Sequence, residues 1–254
     1  MKTLFFGLLS IDNDFEMNLS ESNIRLIIPK GEFKDNILIT GFHGIGMTGY
    51  IAISHLLNSL EAERIGYIQS DLLPPFVSVS GDRLLTPFEI YKWDRFVFIR
   101  SEFPPHRNEE NAFATTIVNW TIEEEFKEAI LIGGLDETFR NGPEELRIVP
   151  TKTYLKQNRE IKDILLEKGL YVTGPLAIML ASFEVQEFPA IAILPYAVRT
   201  RADPRAAAVA IKRICDAYRL GIDISDLVRD AETIERELEE RRMRTTQSYD
   251  GMYV

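Results

Sequence analysis

Residues 36–57 of the chain read NILITGFHGIGMTGYIAISHLL. An apolar run at 37–39 leads into four glycines within nine residues, and apolar side chains then recur at helical spacing. A β-branched run of this length is typical of a buried strand, and glycine permits the backbone angles that a tight turn requires. The stretch therefore predicts a strand, a glycine turn and a helix, which is how a parallel α/β sheet begins.

Strand and helix patterns continue to alternate along most of the chain. Short apolar runs typical of strands lie at 24–28, 64–69, 129–132 and 190–194. Helical patterns lie between them, including one at 153–168. Residues 76–100 differ, because their apolar and polar residues alternate in the way that antiparallel strands do. We expect an α/β fold with a mainly parallel sheet flanked by helices, in which 64–69 is the second parallel strand and 76–100 is a short antiparallel insertion.

Composition limits the classes of partner. The chain has 254 residues, a net charge of −10 and a single cysteine, Cys215. This charge would repel a phosphate backbone, which argues against nucleic acid as a partner. One cysteine forms no internal disulfide, which favours a reducing compartment. No apolar run is long enough to span a bilayer, and the run at 4–9 indicates a first strand rather than a signal peptide. We expect a soluble cytoplasmic protein with no membrane partner.

The sequence predicts three parts: an α/β domain at 1–222, a helical arm at 223–245 and a flexible tail at 246–254. Ser225 is expected to cap the arm, and glutamates and arginines fill most of its exposed positions. The apolar residues of the arm recur three and four positions apart, at Ile224, Leu227, Ala231, Ile234 and Leu238. This spacing predicts one narrow apolar stripe on a partly exposed helix.

The glycine turn is one candidate for function. Gly44–Gly49 matches the pattern G-x-G-x-x-G between a strand and a helix, and Asp71 follows the next predicted strand, near where a ribose-binding acid is expected. The alternative hypothesis is therefore a nucleotide- or phosphate-binding α/β enzyme that uses this turn. Close packing of the helix on the sheet would explain the same glycines without any ligand.

No set of residues in the sequence supports a reaction. The three histidines, His43, His55 and His106, have no cysteine or histidine at ligand spacing, so no metal site is expected. His43 lies beside the glycine turn, where a hydrogen-bonded structural histidine is commoner than a catalytic one. Cys215 falls on the predicted apolar face of a helix, which is typical of a core thiol.

The last three residues are the second candidate for function. Met252-Tyr253-Val254 fits the sequence hydrophobic-Tyr-any, which docks into pockets between proteasome α-subunits. A frayed terminus would also account for this tripeptide. Its presentation favours docking, because a charged helix and several polar residues precede the apolar-aromatic pair.

Four motifs together resemble a known family. They are ILITGFHGIGMTGYIAISHLL at 37–57, ILIGGL at 130–135, YVTGPLAIML at 171–180 and AIAILPYA at 190–197. Over about residues 24–217 the chain resembles the proteasome assembly chaperone 2 family, in particular its archaeal members. It departs from the usual pattern of that family in having His43 where proline is expected.

The resemblance implies a fold of the nucleoside-phosphorylase type without that catalysis. It also implies a non-enzymatic, ATP-independent chaperone or activator that needs no cofactor, self-associates and binds α-subunits of the proteasome core particle. At Met252, Tyr253 and Val254 it implies docking of the tail and opening of the core-particle gate. A scaffold for some other partner, in which the tail plays no part, is the remaining alternative.

Overall fold

The computed structural model of the protein describes residues 24–29, 31–81, 83–157 and 163–250. Its strands, in chain order, are β1 (Arg25–Ile27), β2 (Ile37–Gly41), β3 (Glu63–Gln69), β4 (Ser78–Ser80), β5 (Arg83–Leu85), β6 (Phe88–Trp93), β7 (Phe96–Ser101), β8 (Glu128–Ile132), β9 (Leu135–Asp136), β10 (Leu146–Pro150) and β11 (Ala190–Ala197). Its α-helices are α1 (Thr48–Ser59), α2 (Glu110–Glu123), α3 (Lys152–Gln157), α4 (Gly174–Val185), α5 (Pro204–Tyr218) and α6 (Ser225–Asp250).

One mixed sheet organises the part of the chain that the structure describes. Its strand order is β1-β3-β6-β7-β2-β8-β11-β10, and β9 pairs with the end of β11. The four central strands β7, β2, β8 and β11 run parallel, whereas the pairs at both flanks are antiparallel. All five residues of β2 are buried, as its apolar run predicts. The expected α/β fold with a mainly parallel sheet is confirmed.

Two details of the predicted sheet are wrong. The segment 76–100 does form antiparallel strands, but only β4 and β5 make a separate hairpin. Strands β6 and β7 join the main sheet, and β7 pairs in parallel with β2. The reason is burial, because every residue of β7 is buried and needs cover on both faces. As a result, the strand predicted at 64–69 pairs antiparallel with β6 instead of joining the parallel strands.

Helices cover both faces of the sheet. α2 and α4 pack on one face around Phe113, Ile117, Met179 and Phe183. α1 and α5 pack on the other face around Ile53, Leu56, Ile211 and Ile214, and Leu227 of α6 joins this second core. Helix α5 presents its alanines and isoleucines to the sheet at helical spacing, which places it close to β11 and α1.

The helix predicted at 153–168 is wrong from residue 163 onward. Helix α3 ends at Gln157, and residues 158–162 lie outside the described part of the chain. From residue 163 the chain runs along the edge of β10, where Ile148 N donates to Ile164 O at 3.1 Å and Leu166 N donates to Ile148 O at 3.0 Å. The apolar residues there cover a strand edge instead of lining a helix, and Leu165 is exposed.

The C-terminal helix is longer than expected. We predicted an arm that ends at 245 and a flexible tail from 246, but α6 continues to Asp250. Residues 251–254 lie outside the described part, as does the first strand expected at 4–9. Among the residues described, none of the helices combines the length and the apolar character that crossing a bilayer requires.

Candidate functional site

The glycine turn follows β2, and close backbone contacts account for two of its glycines. A Cβ atom on Gly41 would lie 2.6 Å from Cα of Gly49. A Cβ atom on Gly49 would lie 2.5 Å from the carbonyl oxygen of Ile132 at the end of β8. Separations under 3.0 Å do not occur for real Cβ atoms, so the first turn of α1 reaches the sheet only without side chains at these positions.

Gly46 is required to be glycine both by its backbone angle and by a close contact. Its φ angle is +66°, and a Cβ atom there would lie 2.7 Å from Cβ of Ala197. The carbonyl of Gly46 accepts a hydrogen bond from Asp203 N at 2.8 Å, and the Asp203 carboxylate caps α5 by accepting from Ala206 N at 3.1 Å. The turn thus joins β2, α1 and α5. Of the motif glycines only Gly44 has open space where a Cβ atom would be.

The strand order is inconsistent with a dinucleotide site of the expected kind. The acid that binds a ribose follows the strand next to the one that precedes the glycine turn. Asp71 follows β3, and both β6 and β7 lie between β3 and β2. At about 4.8 Å per strand, β3 is roughly 14 Å from β2. The sequence suggested Asp71 as a candidate because strand order is not visible in a sequence, and β6 and β7 could not be placed between β3 and β2.

A cleft of about 620 Å³ lies at the carboxyl ends of the parallel strands, beside the turn. It is lined mainly by apolar side chains and backbone, including Gly44, Leu176 and Tyr171. At its rim Arg199 lies 3.9 Å from Asp136. Hydrogen bonds from the Thr138 backbone and hydroxyl, followed by the charge of Arg199, keep the pKa of the Asp136 carboxyl below its usual value. A carboxylate that is occupied in this way is a poor proton acceptor.

His43, at the cleft, has a structural environment. Its ring stacks on Tyr50 with the centroids 4.3 Å apart, and the Tyr50 hydroxyl donates to Glu102 at 2.9 Å. Arg100 pairs with Glu102 at 2.7 Å. Burial lowers the pKa of His43 below its usual 6.5, against the opposing attraction of the Glu102 carboxylate. The stacking on Tyr50 fits a structural role for His43, but the hydrogen bond expected for it is not found, because its buried Nδ1 atom has no hydrogen-bond partner among the described residues.

The other histidines lie elsewhere. His55 Nε2 is 2.7 Å from the carbonyl oxygen of Asp223, and His106 Nδ1 accepts from Asn108 N at 3.2 Å. The structure therefore does not bring the three histidines together. Within the described residues no three histidine, cysteine, aspartate or glutamate side chains are grouped so that they could hold a metal ion. Cys215 is partly buried, and burial raises the pKa of its thiol.

The helical arm is attached to α5 by a short interface. Leu227 and Ala231 are buried against the body, as the predicted stripe requires. At the start of the arm, the Asp223 carboxylate accepts from Ser225 N at 2.9 Å and from Ser225 Oγ at 2.6 Å. Asp223 is thus the capping acceptor, and the prediction that Ser225 fills this role is wrong.

The arm extends past the body. Glu235 of α6 pairs with Arg205 in the first turn of α5 at 3.1 Å, so the two helices lie antiparallel and are level at this point. The remainder of α6, from Glu235 to Asp250, adds about 22 Å of helix beyond that pair. Because α5 begins just after β11 ends, this overhang lies at the carboxyl edge of the sheet, the same edge as the cleft. Sequence reasoning missed Arg205, since no local pattern pairs it with a residue 30 positions away.

The predicted docking residues Met252, Tyr253 and Val254 lie outside the described part of the chain. They follow Asp250, the residue at which α6 ends.

Comparisons with known proteins agree with this architecture. The model of the PAC2 family matches residues 38–242. A relative from Methanocaldococcus jannaschii, described as an uncharacterized protein, is 27% identical over 216 residues, which are 83% of this chain and 87% of the relative.

Two solved structures from Pyrococcus furiosus are similar to this chain. PbaA, described as an archaeal homolog of proteasome-assembly chaperone, has 24% identity and a TM-score of 0.76, with 91% of this chain and 99% of PbaA covered. PbaB, described as an archaeal proteasome activator, has 18% identity and a TM-score of 0.71, with 86% of this chain and 98% of PbaB covered. At these identities the likeness shows a common fold.

Proposed function

The chain belongs to the PAC2 family, and from this premise we propose that it is a non-enzymatic, ATP-independent protein that binds the proteasome core particle. It acts as an assembly chaperone, as an activator of the core particle, or as both. Two lines of support meet here: the resemblance of the four motifs, and the fold shared with PbaA and PbaB, whose descriptions name these two roles.

The observation that carries the proposal is the overhang of α6. A docking segment must reach a pocket on another protein without its own body colliding with the partner. Helix α6 is fixed to α5 as far as Glu235 and then continues for about 22 Å to Asp250. This geometry supports presentation of Met252, Tyr253 and Val254 to pockets between α-subunits.

The chemistry of the three residues suits such a pocket. Tyr253 offers a large apolar ring with a hydroxyl group, and Met252 adapts to an irregular apolar wall. The carboxylate of Val254 can pair with a lysine of the α-subunit. A single tail of this size binds weakly, so we propose that the protein self-associates and that several tails engage together. Linked tails raise the overall affinity through effective concentration.

The test is peptide hydrolysis by a purified archaeal core particle, with capture of α-subunits measured in parallel. Full-length protein is compared with a variant that ends at Gly251 and with Tyr253→Ala. We expect truncation to abolish binding and stimulation, and Tyr253→Ala to weaken binding by at least ~10-fold, because a central aromatic side chain dominates such contacts. Val185→Ala is the control, since Val185 lies at the end of α4, away from the cleft, and is 81% exposed.

The outcomes separate the roles. Stimulation that requires the last three residues indicates docking and gate opening, whereas capture of α-subunits without stimulation indicates assembly. Undiminished binding by the truncated variant would contradict the tail mechanism, and failure of the full-length protein to bind would contradict the whole proposal. Light scattering after size exclusion checks that each variant keeps the oligomeric state of the full-length protein.

A further inference from the structure

The hairpin β4–β5 carries an apolar surface that nothing in the described part of the chain covers. The exposed large apolar side chains of this region are Leu72, Leu73, Phe76, Val77, Val79 and Leu84. We call these six residues the hairpin patch. Val79 and Leu84 are directly opposite each other in the ladder, so they share one face, and they are 68% and 57% exposed.

Contacts with the body of the protein hold the hairpin in place. Arg64 Nη1 donates to Leu84 O at 2.8 Å, and Arg83 donates to the Tyr91 hydroxyl at 3.4 Å. Phe76 packs edge-on against Phe103 with the ring centroids 4.8 Å apart. A two-stranded hairpin is marginally stable unless a further element covers its apolar face. This hairpin is anchored to the body with its apolar face exposed, which is typical of a surface that binds another segment or protein.

The chain enters the described structure beside this surface. In the antiparallel pairing of β1 with β3, Arg25 lies opposite Gln69. Residue 24 therefore lies next to the point where 70–77 leave β3 and lead into the hairpin patch. On its other side β1 has no partner strand among the described residues, whereas the far edge of the sheet is covered along β10.

One oxygen of a buried carboxylate at the same point lacks a hydrogen-bond donor. Glu109 is 2% exposed, and its Oε2 atom contacts Ser70 Oγ and accepts from Leu72 N at 3.3 Å. Its Oε1 atom is buried without a partner among the described residues. Buried polar atoms are almost always hydrogen-bonded, so a donor from outside these residues is expected. The sequence that precedes Ile24 is SESN, which supplies hydroxyl and amide donors.

We propose that residues 1–23 cover the hairpin patch of their own chain. The apolar run LFFGLL at 4–9 provides the matching surface, and the segment 20–23 supplies the donor to Glu109. Residues 10–23 connect the two and span up to about 46 Å when extended. Attachment to the same chain favours this occupant over a second copy, because the tether fixes a high local concentration. This inference does not depend on the proteasome proposal.

Cysteine pairing tests the proposal directly. In a Cys215→Ala background, Val79→Cys is combined in turn with Leu4→Cys, Phe6→Cys or Leu8→Cys, and each protein is oxidised at low concentration. We expect an intramolecular disulfide in at least one pair, seen as loss of free thiol in a band of monomer mass. The matched control combines Phe6→Cys with Val185→Cys at the end of α4, a position that is 81% exposed and is expected to stay reduced.

A covalent dimer as the main product would overturn the proposal in favour of a second copy, and the absence of any disulfide in all three pairs would overturn it as well. A second measurement does not rely on disulfide geometry. Leu4→Ser, Phe6→Ser and Leu8→Ser together should raise the fluorescence of a hydrophobic dye, and Val79→Ser with Leu84→Ser should reverse that rise. A dye signal unchanged by the N-terminal substitutions would contradict coverage of the patch.

Discussion

The glycine turn and the α6 arm lie at the same edge of the sheet, and they differ in how closely they pack against the rest of the protein. Gly41, Gly46 and Gly49 are in close contact with neighbouring backbone or side chains. The arm touches the body through Leu227, Ala231 and the pair of Glu235 with Arg205, and then leaves it. The turn contains the stronger sequence motif, but packing within the protein accounts for three of its four glycines, Gly44 being the exception.

This difference shows that the strength of a motif and its availability to a partner are separate quantities. A glycine that admits a neighbouring backbone cannot also admit a phosphate at the same place. A terminal tripeptide is a weak pattern, but we propose that the α6 arm presents it to a partner. Substitutions in the turn should therefore change the stability of the protein, and substitutions in the arm should change its binding to a partner.

The largest expected effect is that of Gly49→Ala. The new methyl group would lie 2.5 Å from Ile132 O and 2.7 Å from Phe42 N, and both of these atoms belong to backbone that cannot move aside cheaply. We expect a loss of at least ~3 kcal/mol in the free energy of unfolding, or no folded protein. Urea denaturation followed by circular dichroism measures it.

Gly44→Ala is the matched control from the same motif. No atom lies within 4 Å of the position that its Cβ would take, so the free energy of unfolding should change by less than about 0.5 kcal/mol. If the turn existed to bind a nucleotide, both glycines would matter to the ligand and neither to the fold. Equal stability of the two variants would therefore contradict the packing explanation.

A smaller and more local effect is expected from Leu227→Ala in the arm. Removing a buried leucine side chain costs about 2–3 kcal/mol. Because the arm has few other contacts, this cost should fall on α6 alone, and its backbone amides should exchange with solvent roughly 30-fold faster than in the unaltered protein. Hydrogen exchange with mass spectrometry measures the change helix by helix.

Arg236→Ala provides the comparison for that experiment, since Arg236 is exposed on the same helix. Its exchange should match that of the unaltered protein. Faster exchange throughout the sheet in Leu227→Ala would mean that the arm and the body unfold together, and the distinction between them would fail. If α6 alone loosens, binding to the core particle should weaken while the body stays folded.

Local patterns predicted the fold where the physics is local. The apolar run at 37–39 and the spacing of Leu227 and Ala231 were sufficient, because burial imposes a period that neighbouring residues display. The position of β7 beside β2 could not be predicted, since strand order depends on contacts between distant segments. The same limit applies to the site: the pattern at Gly44–Gly49 was visible, but the carbonyl of Ile132 that makes Gly49 necessary was not.

The smallest predicted effect separates the two regions by pH. Burial lowers the pKa of His43 in the folded protein below its usual 6.5, so between these two values the unfolded chain binds more protons than the folded one. The free energy of unfolding should consequently fall as the pH drops below about 6.5 and reach its full loss once the pH lies below the folded pKa. One pKa unit corresponds to about 1.4 kcal/mol, and a half-buried ring should lose less than that.

His43→Phe removes the titrating group and keeps a ring over Tyr50, so its unfolding free energy should change less between about pH 7.5 and 5.5 than that of the unaltered protein. His43→Gln should flatten the same profile while losing the stacking, which distinguishes the charge from the packing. The arm makes no matching contribution in this range. Hydrogen bonds from Ser225 lower the pKa of Asp223, so its contribution is lost only as the pH falls below about 3.8. Identical pH profiles for His43→Phe and the unaltered protein would show that the His43 ring is not desolvated in the folded protein. The contrast between the closely packed turn and the α6 arm would then depend on the glycines alone.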